Sequence, residues 1–133
     1  MNTSGQLSRA ECEALLASRH VGRVVHTIAA LPTAVPVMYA VIDGCVIFRE
    51  FPGLDLRAGS EMVIAFEVDT FGDRFDEGWC VVATGLAVEV TDLAEIDSLD
   101  RVGIASWAPD QRSPYVKLTI GPLTGTALQQ RAG

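Results

Sequence analysis

The chain has 133 residues, of which 49% are hydrophobic and 20% are charged. This length is typical of one domain, so we expect residues 1–133 to form a single unit, and the hydrophobic content excludes a disordered chain. With 17 acidic residues against 10 basic ones, the formal net charge is −7. Such a surface repels phosphate backbones, which excludes nucleic acid as an expected partner.

Membrane, secretory and metal-stabilised classes are also disfavoured. No run reaches the ~20 apolar residues of a membrane helix, and the first residues lack the basic and apolar segments of a signal peptide. We therefore expect no membrane contact, a cytoplasmic location, and a flexible tail over residues 1–6. Cys12, Cys45 and Cys80 are widely spaced, which predicts small buried hydrophobic side chains rather than a disulfide framework or a zinc site.

The first predicted element is a helix that begins after Ser8. Ser8 and Glu11 have the spacing of a capping box, in which each side chain accepts a hydrogen bond from the other residue's backbone N–H. A strand region follows over residues 21–28 and leads to a turn near residues 31–32. The apolar side chains that share one face of the helix are Cys12, Leu15 and Leu16.

The next two strands, residues 35–42 and 45–50, carry the clearest signal in the chain. They flank Asp43 and Gly44, a two-residue combination typical of a tight hairpin turn. Both strands are apolar on both faces, so both faces need cover. Because the chain offers few helices, we expect a second subunit to supply part of that cover, and hence a homodimer.

The rest of the chain continues the β pattern. We predict a short helix or turn at residues 54–60, strands at 62–69 and 79–90, and a loop at 71–78. The last strand covers residues 115–120, and a C-terminal piece covers 123–128. Gly85 lies mid-strand, which is typical of a bulge or a sharp bend. In the predicted strand 62–69, four apolar side chains lie on one face: Met62, Ile64, Phe66 and Val68.

A second helix is predicted after Asp92, which can cap it together with Glu95. With about six antiparallel strands and two or three short helices, the fold class is mainly β, and the architecture a small barrel. The residues that we expect on the buried side of this helix are Leu93, Ile96, Leu99 and Val102.

Few residues indicate catalytic chemistry. His20 and His26 are the only imidazoles, and neither a nucleophile elbow nor a phosphate loop is present. A lone histidine beside a strand is more often a surface or hydrogen-bonded structural residue, so the catalytic residues are unknown. We interpret four acids as parts of a solvated loop and expect no metal site; they are Asp69, Asp73, Asp76 and Glu77.

Arg49 and the two tryptophans each allow two interpretations. An arginine at the end of an apolar strand can clamp an anion, but an ion pair with Glu50, Glu67 or Asp69 is the more common arrangement. Trp79 and Trp107 can pack in the core or stack on a planar ligand. The residues alone favour core packing.

Taken in order, eight segments resemble the flavin-binding split-barrel proteins related to pyridoxamine 5′-phosphate oxidase. The similarity is to the short bacterial branch that includes nitroimidazole-resistance-type proteins, and it extends from about residue 7 to residue 128. The segments are Val21–Val24, Val35–Tyr39, Val46–Arg49, Pro52–Leu56, Ala65–Asp69, Gly78–Val82, Trp107–Pro109 and Leu123–Gly125.

The resemblance implies a split-barrel homodimer that holds FMN in two clefts at the subunit interface. The flavin ring would lie along the strand of residues 36–38, and the phosphate would contact the end of the next strand and the turn that follows. Aromatic groups from the partner would close the cleft, and the flavin would do the redox work of an oxidoreductase. The implied cofactor-binding residues are Pro36, Val37, Met38, Phe48, Arg49, Glu50, Asp55, Leu56, Trp79 and Trp107.

The sequence departs from the family pattern where the phosphate would bind. Glu50 stands in place of the usual threonine and Asp55 in place of the usual lysine, while Met38 replaces a common asparagine. At ~4–6 Å, each carboxylate would oppose a phosphate by on the order of one to a few kcal/mol. A deazaflavin or no cofactor is therefore an alternative to FMN. The alternative function is a non-enzymatic dimer that acts as a regulatory or interaction module or binds another planar ligand.

Overall fold

The computed structural model describes residues 2–73, 77–107 and 113–130, and this part of the chain contains seven strands and two helices. The mainly β prediction is confirmed. In chain order the elements are β1 (Asn2–Gln6), α1 (Arg9–Ala17), β2 (Val21–Ile28), β3 (Leu31–Ile42), β4 (Cys45–Arg49), β5 (Met62–Phe71), β6 (Glu77–Glu89), α2 (Leu93–Val102) and β7 (Tyr115–Gln130).

The strands form one antiparallel sheet that closes on itself. Their order is β1-β7-β4-β3-β2-β5-β6, and an additional pairing between β7 and β6 completes a ring of six strands. The seventh strand, β1, pairs with the end of β7, from Asn2 opposite Gln130 to Gln6 opposite Thr126. Residues 2–6 thus form a strand where a flexible tail over residues 1–6 was expected, because β7 is long enough to offer β1 an edge; Met1 lies outside the described residues.

Of two hairpin turns, one lies at the predicted residues and the other does not. Asp43 and Gly44 adopt φ of 51° and 73°, which confirms the predicted turn between β3 and β4. The turn between β2 and β3 is formed by Ala29 and Ala30, at φ of 49° and 66°. Alanine is uncommon in this left-handed region, so the sequence misplaces the turn at residues 31–32 and starts β3 too late.

Two further strands are longer than predicted, and one predicted irregularity is confirmed. β6 and β7 pair along almost their whole lengths, so residues 115–120 and 123–128 belong to one strand. The register shifts between Ala83 and Gly85. A side chain at Gly85 would place a Cβ 1.9 Å from the carbonyl oxygen of Thr119, which explains the glycine at the bulge.

Both helices begin where their caps predict. Ser8 Oγ accepts from the Glu11 N–H at 3.1 Å, and Glu11 Oε1 accepts from the Ser8 N–H at 3.0 Å. Asp92 caps α2 through the Glu95 N–H. The residues predicted as a helix or turn at 54–60 contain a turn at 58–59 and no helix.

The predicted buried side of α2 is partly wrong. Leu99 is buried, but Leu93 and Val102 are 81% and 51% exposed. On α2, Leu99 belongs to a small apolar cluster with Ile47, Val90, Ile104 and Tyr115, and Ile96 packs against this cluster. The large core lies inside the barrel and includes Phe48 and Phe66, whose rings stack at 6.4 Å.

The cover of the β3–β4 hairpin is partly internal. On β4, Val46 and Phe48 point into the large core while Ile47 lies in the cluster beneath α2. The same chain thus covers both faces of β4, so the two-sided apolar pattern there does not require a second subunit. Of the cysteines, Cys12 is buried as predicted, whereas Cys45 and Cys80 are only half-buried.

Candidate functional site

A groove of about 350 Å³ lies between β3 and the segments that follow β4 and α2. Five of the residues predicted to bind a cofactor line it: Pro36, Val37, Met38, Arg49 and Trp107. We call it the apolar groove, because Arg49 is the only charged residue among the described residues that line it. The other lining residues are Val35, Phe51, Pro52, Ala105 and Ser106.

Trp107 lies at this groove with its ring largely in solvent. Its side chain is 58% exposed, and its indole Nε1–H donates to the carbonyl oxygen of Pro36 at 2.9 Å. The core-packing interpretation is therefore wrong for Trp107. A tethered, exposed indole beside apolar walls is a surface on which a planar ligand can stack. Ala108 and Pro109, which complete the quoted segment, lie outside the described residues.

Arg49 is held by residues far away in the chain. Its Nη1 donates to the Ser113 carbonyl oxygen at 2.7 Å, and its Nη2 donates to the Tyr115 hydroxyl at 2.9 Å. The guanidinium also lies 4.0 Å from the centre of the Tyr115 ring and 3.7 Å from Asp100. The predicted ion pair with Glu50, Glu67 or Asp69 is wrong.

Two of those three acids have another partner. Arg23 Nη1 contacts Glu67 Oε1 at 2.9 Å and Asp69 Oδ2 at 3.0 Å. Asp69 lies in β5 and not in a loop, so the solvated-loop interpretation does not hold for it. Asp76 falls outside the described residues. Within the described ranges, no cluster of three or more potential ligands could hold a metal ion.

Tyr115 links Arg49 to α2. Its hydroxyl donates to Asp100 Oδ1 at 2.7 Å while it accepts from Arg49. Burial raises the pKa of Tyr115, and the hydrogen bond to Asp100 raises it further. The phenol therefore stays protonated near neutral pH and can keep donating to Asp100. The result is a continuous line of hydrogen bonds from Asp100 through Tyr115 to the guanidinium.

Arg49 keeps one donor unused. Its Nε is buried and has no hydrogen-bond partner among the described residues. Leaving a buried donor unpaired costs about 1–3 kcal/mol, so a ligand or a water that accepts from it would be stabilised. A flavin ring carries carbonyl oxygens, which are groups that can accept a hydrogen bond from such an N–H. Apolar walls, an exposed indole and one unpaired donor fit such a ring.

The turn after β4 does not fit a phosphate. Burial raises the pKa of Glu50, and the nearby carboxylates of Glu89 and Asp55 raise it further. Asp55 is exposed and adopts a φ of 53°. We call Glu50 to Leu56 the acidic turn. Its two carboxylates repel the anion that the family pattern would place there.

Five predicted ligand residues do not line the apolar groove, and two of them are core residues. Phe48 is fully buried and Leu56 is 5% exposed, so neither side chain is open to the apolar groove, and their contact with a cofactor stays a prediction. Both fill the barrel interior instead. Glu50 and Asp55 belong to the acidic turn and also lie outside the lining of the groove.

Trp79 lies at a different place from Trp107. It is half-buried on β6 and lines a separate, wider groove of about 950 Å³. Arg19 and Phe71 line the same groove. Trp79 therefore does not contribute to the apolar groove of its own chain, and closure of the cleft by a partner's aromatic group remains a prediction.

Sequence reasoning missed several residues around Arg49. Asp100, Ser113 and Tyr115 hold the arginine from 51 to 66 positions away in the chain, and no local pattern marks such pairs. His26 also differs from expectation. It is 4% exposed, neither ring nitrogen has a partner among the described residues, and its ring meets Phe51 edge-on at 5.6 Å.

Comparisons with known proteins agree with this fold. The family model described as pyridoxamine 5′-phosphate oxidase matches residues 8–128. An uncharacterized protein of Mycobacterium tuberculosis is 41% identical over 103 residues, which cover 73% of this chain and 68% of that protein. No helix in the described ranges is both long enough and apolar enough to span a membrane.

Solved structures give the same result. A Corynebacterium glutamicum protein provisionally named pyridoxamine 5′-phosphate oxidase superposes with a TM-score of 0.79 and 26% identity, covering 96% of this chain and 95% of its own. An FAD binding protein of Mycobacterium smegmatis superposes with a TM-score of 0.73 and 26% identity, covering 93% and 97%. The chain therefore belongs to the pyridoxamine 5′-phosphate oxidase family and has its split-barrel fold.

Proposed function

We propose that this protein binds a flavin in the apolar groove and acts as a flavin-dependent oxidoreductase. The observation that carries the proposal is the combination of the exposed Trp107 indole with the unpaired, buried Nε of Arg49 at one groove. The similarity to an FAD binding protein supports the same class of ligand. The flavin, when bound, supplies the redox chemistry, and the protein supplies position and electrostatics.

The walls of the groove suit the flat, apolar part of a flavin. Val37 forms part of the floor, and Pro36 and Met38 lie to either side of it along β3. Trp107 is tethered to β3 through Pro36, so its ring can cover a planar ligand without first losing much conformational freedom. A volume of about 350 Å³ is at the lower end of the range of small-molecule sites, roughly 300–1,000 Å³.

Arg49 supplies the polar contact that would fix the ligand's orientation. The Asp100–Tyr115 line of hydrogen bonds holds its guanidinium, and its buried Nε has no partner among the described residues. Because the arginine is only 15% exposed, its charge is less screened than a surface charge. We therefore assign Arg49 the role of binding an oxygen or an anionic group of the flavin.

A homodimer and a cytoplasmic location remain part of the proposal. Pro36 is exposed on the groove side of β3, and Trp107 is exposed beside it. A second copy that covers this region would shield a bound flavin from water. Light scattering on the purified protein tests the dimer, and a monomeric mass would contradict it.

The decisive experiment is a flavin titration of the purified protein. We expect either a yellow protein with flavin absorbance or quenching of riboflavin fluorescence at micromolar concentrations. Trp107→Ala should weaken riboflavin binding about tenfold by removing the stacking surface. Leu93→Ala, at an exposed position on α2, is the matched control. A colourless protein that binds no flavin would contradict the proposal.

The acidic turn favours a second candidate function. Glu50, Asp55 and Glu89 oppose a phosphate where the family would receive one, so the chain could act as a non-enzymatic module that binds another planar ligand. A deazaflavin is the alternative redox cofactor. Binding of riboflavin together with turnover of an added reductant supports the oxidoreductase, whereas riboflavin binding without any reduction of the flavin supports the module.

A further inference from the structure

A separate cavity of about 440 Å³ lies between α2 and the strands β3, β4 and β7. Cys45, the first residue of β4, lines it together with Lys117 of β7 and Glu95 of α2, while Ile47 and Leu99 form apolar parts of its wall. We call this space the thiol cavity. Small-molecule sites have volumes of roughly 300–1,000 Å³, so the thiol cavity has room for a group attached to the Cys45 sulfur.

The pairing of β4 with β7 brings Lys117 toward the Cys45 sulfur. Cys45 lies directly opposite Thr119, and Lys117 lies opposite Ile47, so Cys45 and Lys117 are diagonal neighbours on one face of the sheet. Such neighbours are roughly 7–8 Å apart, within reach of a long side chain. The hydrogen bond to Glu95 raises the pKa of Lys117, and the negative charge of an ionised Cys45 raises it further. The ammonium therefore persists near neutral pH.

The described residues that line the thiol cavity carry charges of both signs. The Lys117 ammonium contacts Glu95 Oε2 at 2.8 Å, and Asp43, at the turn between β3 and β4, adds a second carboxylate. An ammonium beside a thiol favours the thiolate, which is the form of cysteine that attacks disulfides. A ligand with both an amino group and a carboxylate can pair with both signs of charge in this cavity.

The other two cysteines of the chain lie in different surroundings. Cys12 is fully buried in the large core, and burial raises its pKa. The Cys80 thiol donates to Glu67 Oε2 at 3.3 Å, and burial together with this hydrogen bond raises the pKa of Cys80 to about 11. Both thiols are therefore held in the protonated form, which is not nucleophilic. Cys45, in contrast, is half-buried and open to the thiol cavity.

We propose that Cys45 is a modification site at which a low-molecular-weight amino-acid disulfide forms a mixed disulfide with the protein. The Cys45 thiolate attacks one sulfur of the disulfide, a new S–S bond forms, and the original S–S bond breaks. The other half leaves as a thiolate and takes up the proton that Cys45 has lost. Cys45 is oxidised and the departing half is reduced, so no further oxidant is needed. The inference does not depend on flavin binding.

Reaction of the full-length native protein with L-cystine, the disulfide of free cysteine, tests this inference. Proteolysis and mass spectrometry locate the adduct, and we expect Cys45 to react about tenfold faster than Cys12 or Cys80. Cys45→Ser should abolish the fast reaction. Equal rates at all three cysteines, or an adduct at Cys45 that forms only after denaturation with urea, would overturn the inference.

Two variants of one ion pair separate the electrostatic role of Lys117 from a structural one. Lys117→Met removes the ammonium and should slow the reaction at Cys45 about threefold, whereas Glu95→Gln keeps the ammonium, removes a carboxylate and should accelerate it about threefold. Both variants break the same pair, so a loosening of α2 would change both rates in one direction, and that result contradicts the inference. Asp97→Asn breaks an exposed pair with Arg101 on α2, and as the matched control it should leave the rate unchanged.

Discussion

The family resemblance predicts that the apolar groove and the acidic turn both contact one flavin. The two regions differ, however, in exposure, in charge and in the hydrogen-bonding groups that they offer a ligand. At the groove, Trp107 is exposed, Arg49 keeps an unpaired donor, and the walls are apolar. At the acidic turn, Glu50 and Asp55 add two carboxylates. The neighbouring Phe48 and Leu56 are buried in the core.

The difference indicates that the ring-binding and phosphate-binding regions implied by the resemblance can change independently. The groove is formed by β3 and by segments that follow β4 and α2, so its shape persists as long as the barrel does. The acidic turn depends on two side chains, and changing them reverses its charge without altering the core. The family fold alone therefore does not establish that both regions bind a ligand in this chain.

The largest effect should come from Phe48, which the resemblance places at the ligand and the structure places in the core. Phe48→Ala should lower the free energy of unfolding by about 3–5 kcal/mol, because it leaves a cavity against Phe66. Chemical denaturation measures this loss. Phe48→Leu keeps most of the volume and should fold with riboflavin affinity within twofold of wild type. A large loss of affinity in a stable Phe48→Leu protein would place Phe48 at the ligand after all.

Neutralising the acidic turn should have the next largest effect. Glu50→Gln combined with Asp55→Asn removes two charges, and asparagine tolerates the positive φ at position 55. FMN affinity should rise about thirtyfold or more, because each lost carboxylate removes repulsion of about 1 kcal/mol or more. Riboflavin has no phosphate and serves as the control ligand. If FMN and riboflavin gain equally, the charge explanation of the turn is wrong.

The smallest effect is the pH dependence that Glu50 contributes. Its folded-state pKa lies above the ordinary value of 4.5 because of burial and the neighbouring Glu89 and Asp55. Above pH 4.5 the folded protein therefore binds more protons at Glu50 than the unfolded chain does. The folded state is stabilised relative to the unfolded state while Glu50 is protonated, and this contribution is lost as the pH rises through the folded-state pKa.

The comparison with Glu50→Gln makes that pH dependence measurable. The variant should be more stable than wild type at pH 7, and the difference should shrink toward pH 4.5. Thermal unfolding of both proteins across this interval measures it. A difference that stays constant with pH would show that Glu50 ionises normally in the fold.

Sequence patterns predicted the structural features that are determined by residues close to one another in the chain. The Ser8–Glu11 capping box, the Asp43–Gly44 turn and the Gly85 bulge each depend on residues close in sequence, and each is confirmed. The Ala29–Ala30 turn escaped prediction because tertiary pairing of β2 with β3 imposes backbone angles that alanine does not favour.

The site was less predictable, because its residues meet only through the barrel topology. Arg49 reaches Tyr115 because β4 pairs with β7, and these two residues are direct partners in that register. Trp107 reaches Pro36 across 71 positions. Single-sequence patterns carry no information about such contacts. The family resemblance implied a ligand contact for both Trp107 and Trp79, and the structure shows that the two tryptophans line different grooves.

The two tryptophans provide the most direct test of the central claim, that the flavin ring binds beside Trp107. Trp79→Phe and Trp107→Phe each leave one indole, and riboflavin is titrated into each while tryptophan emission is recorded. We predict strong quenching in Trp79→Phe, where Trp107 reports, and weak quenching at the same riboflavin concentrations in Trp107→Phe. Equal quenching in both variants, or strong quenching only in Trp107→Phe, would contradict the account.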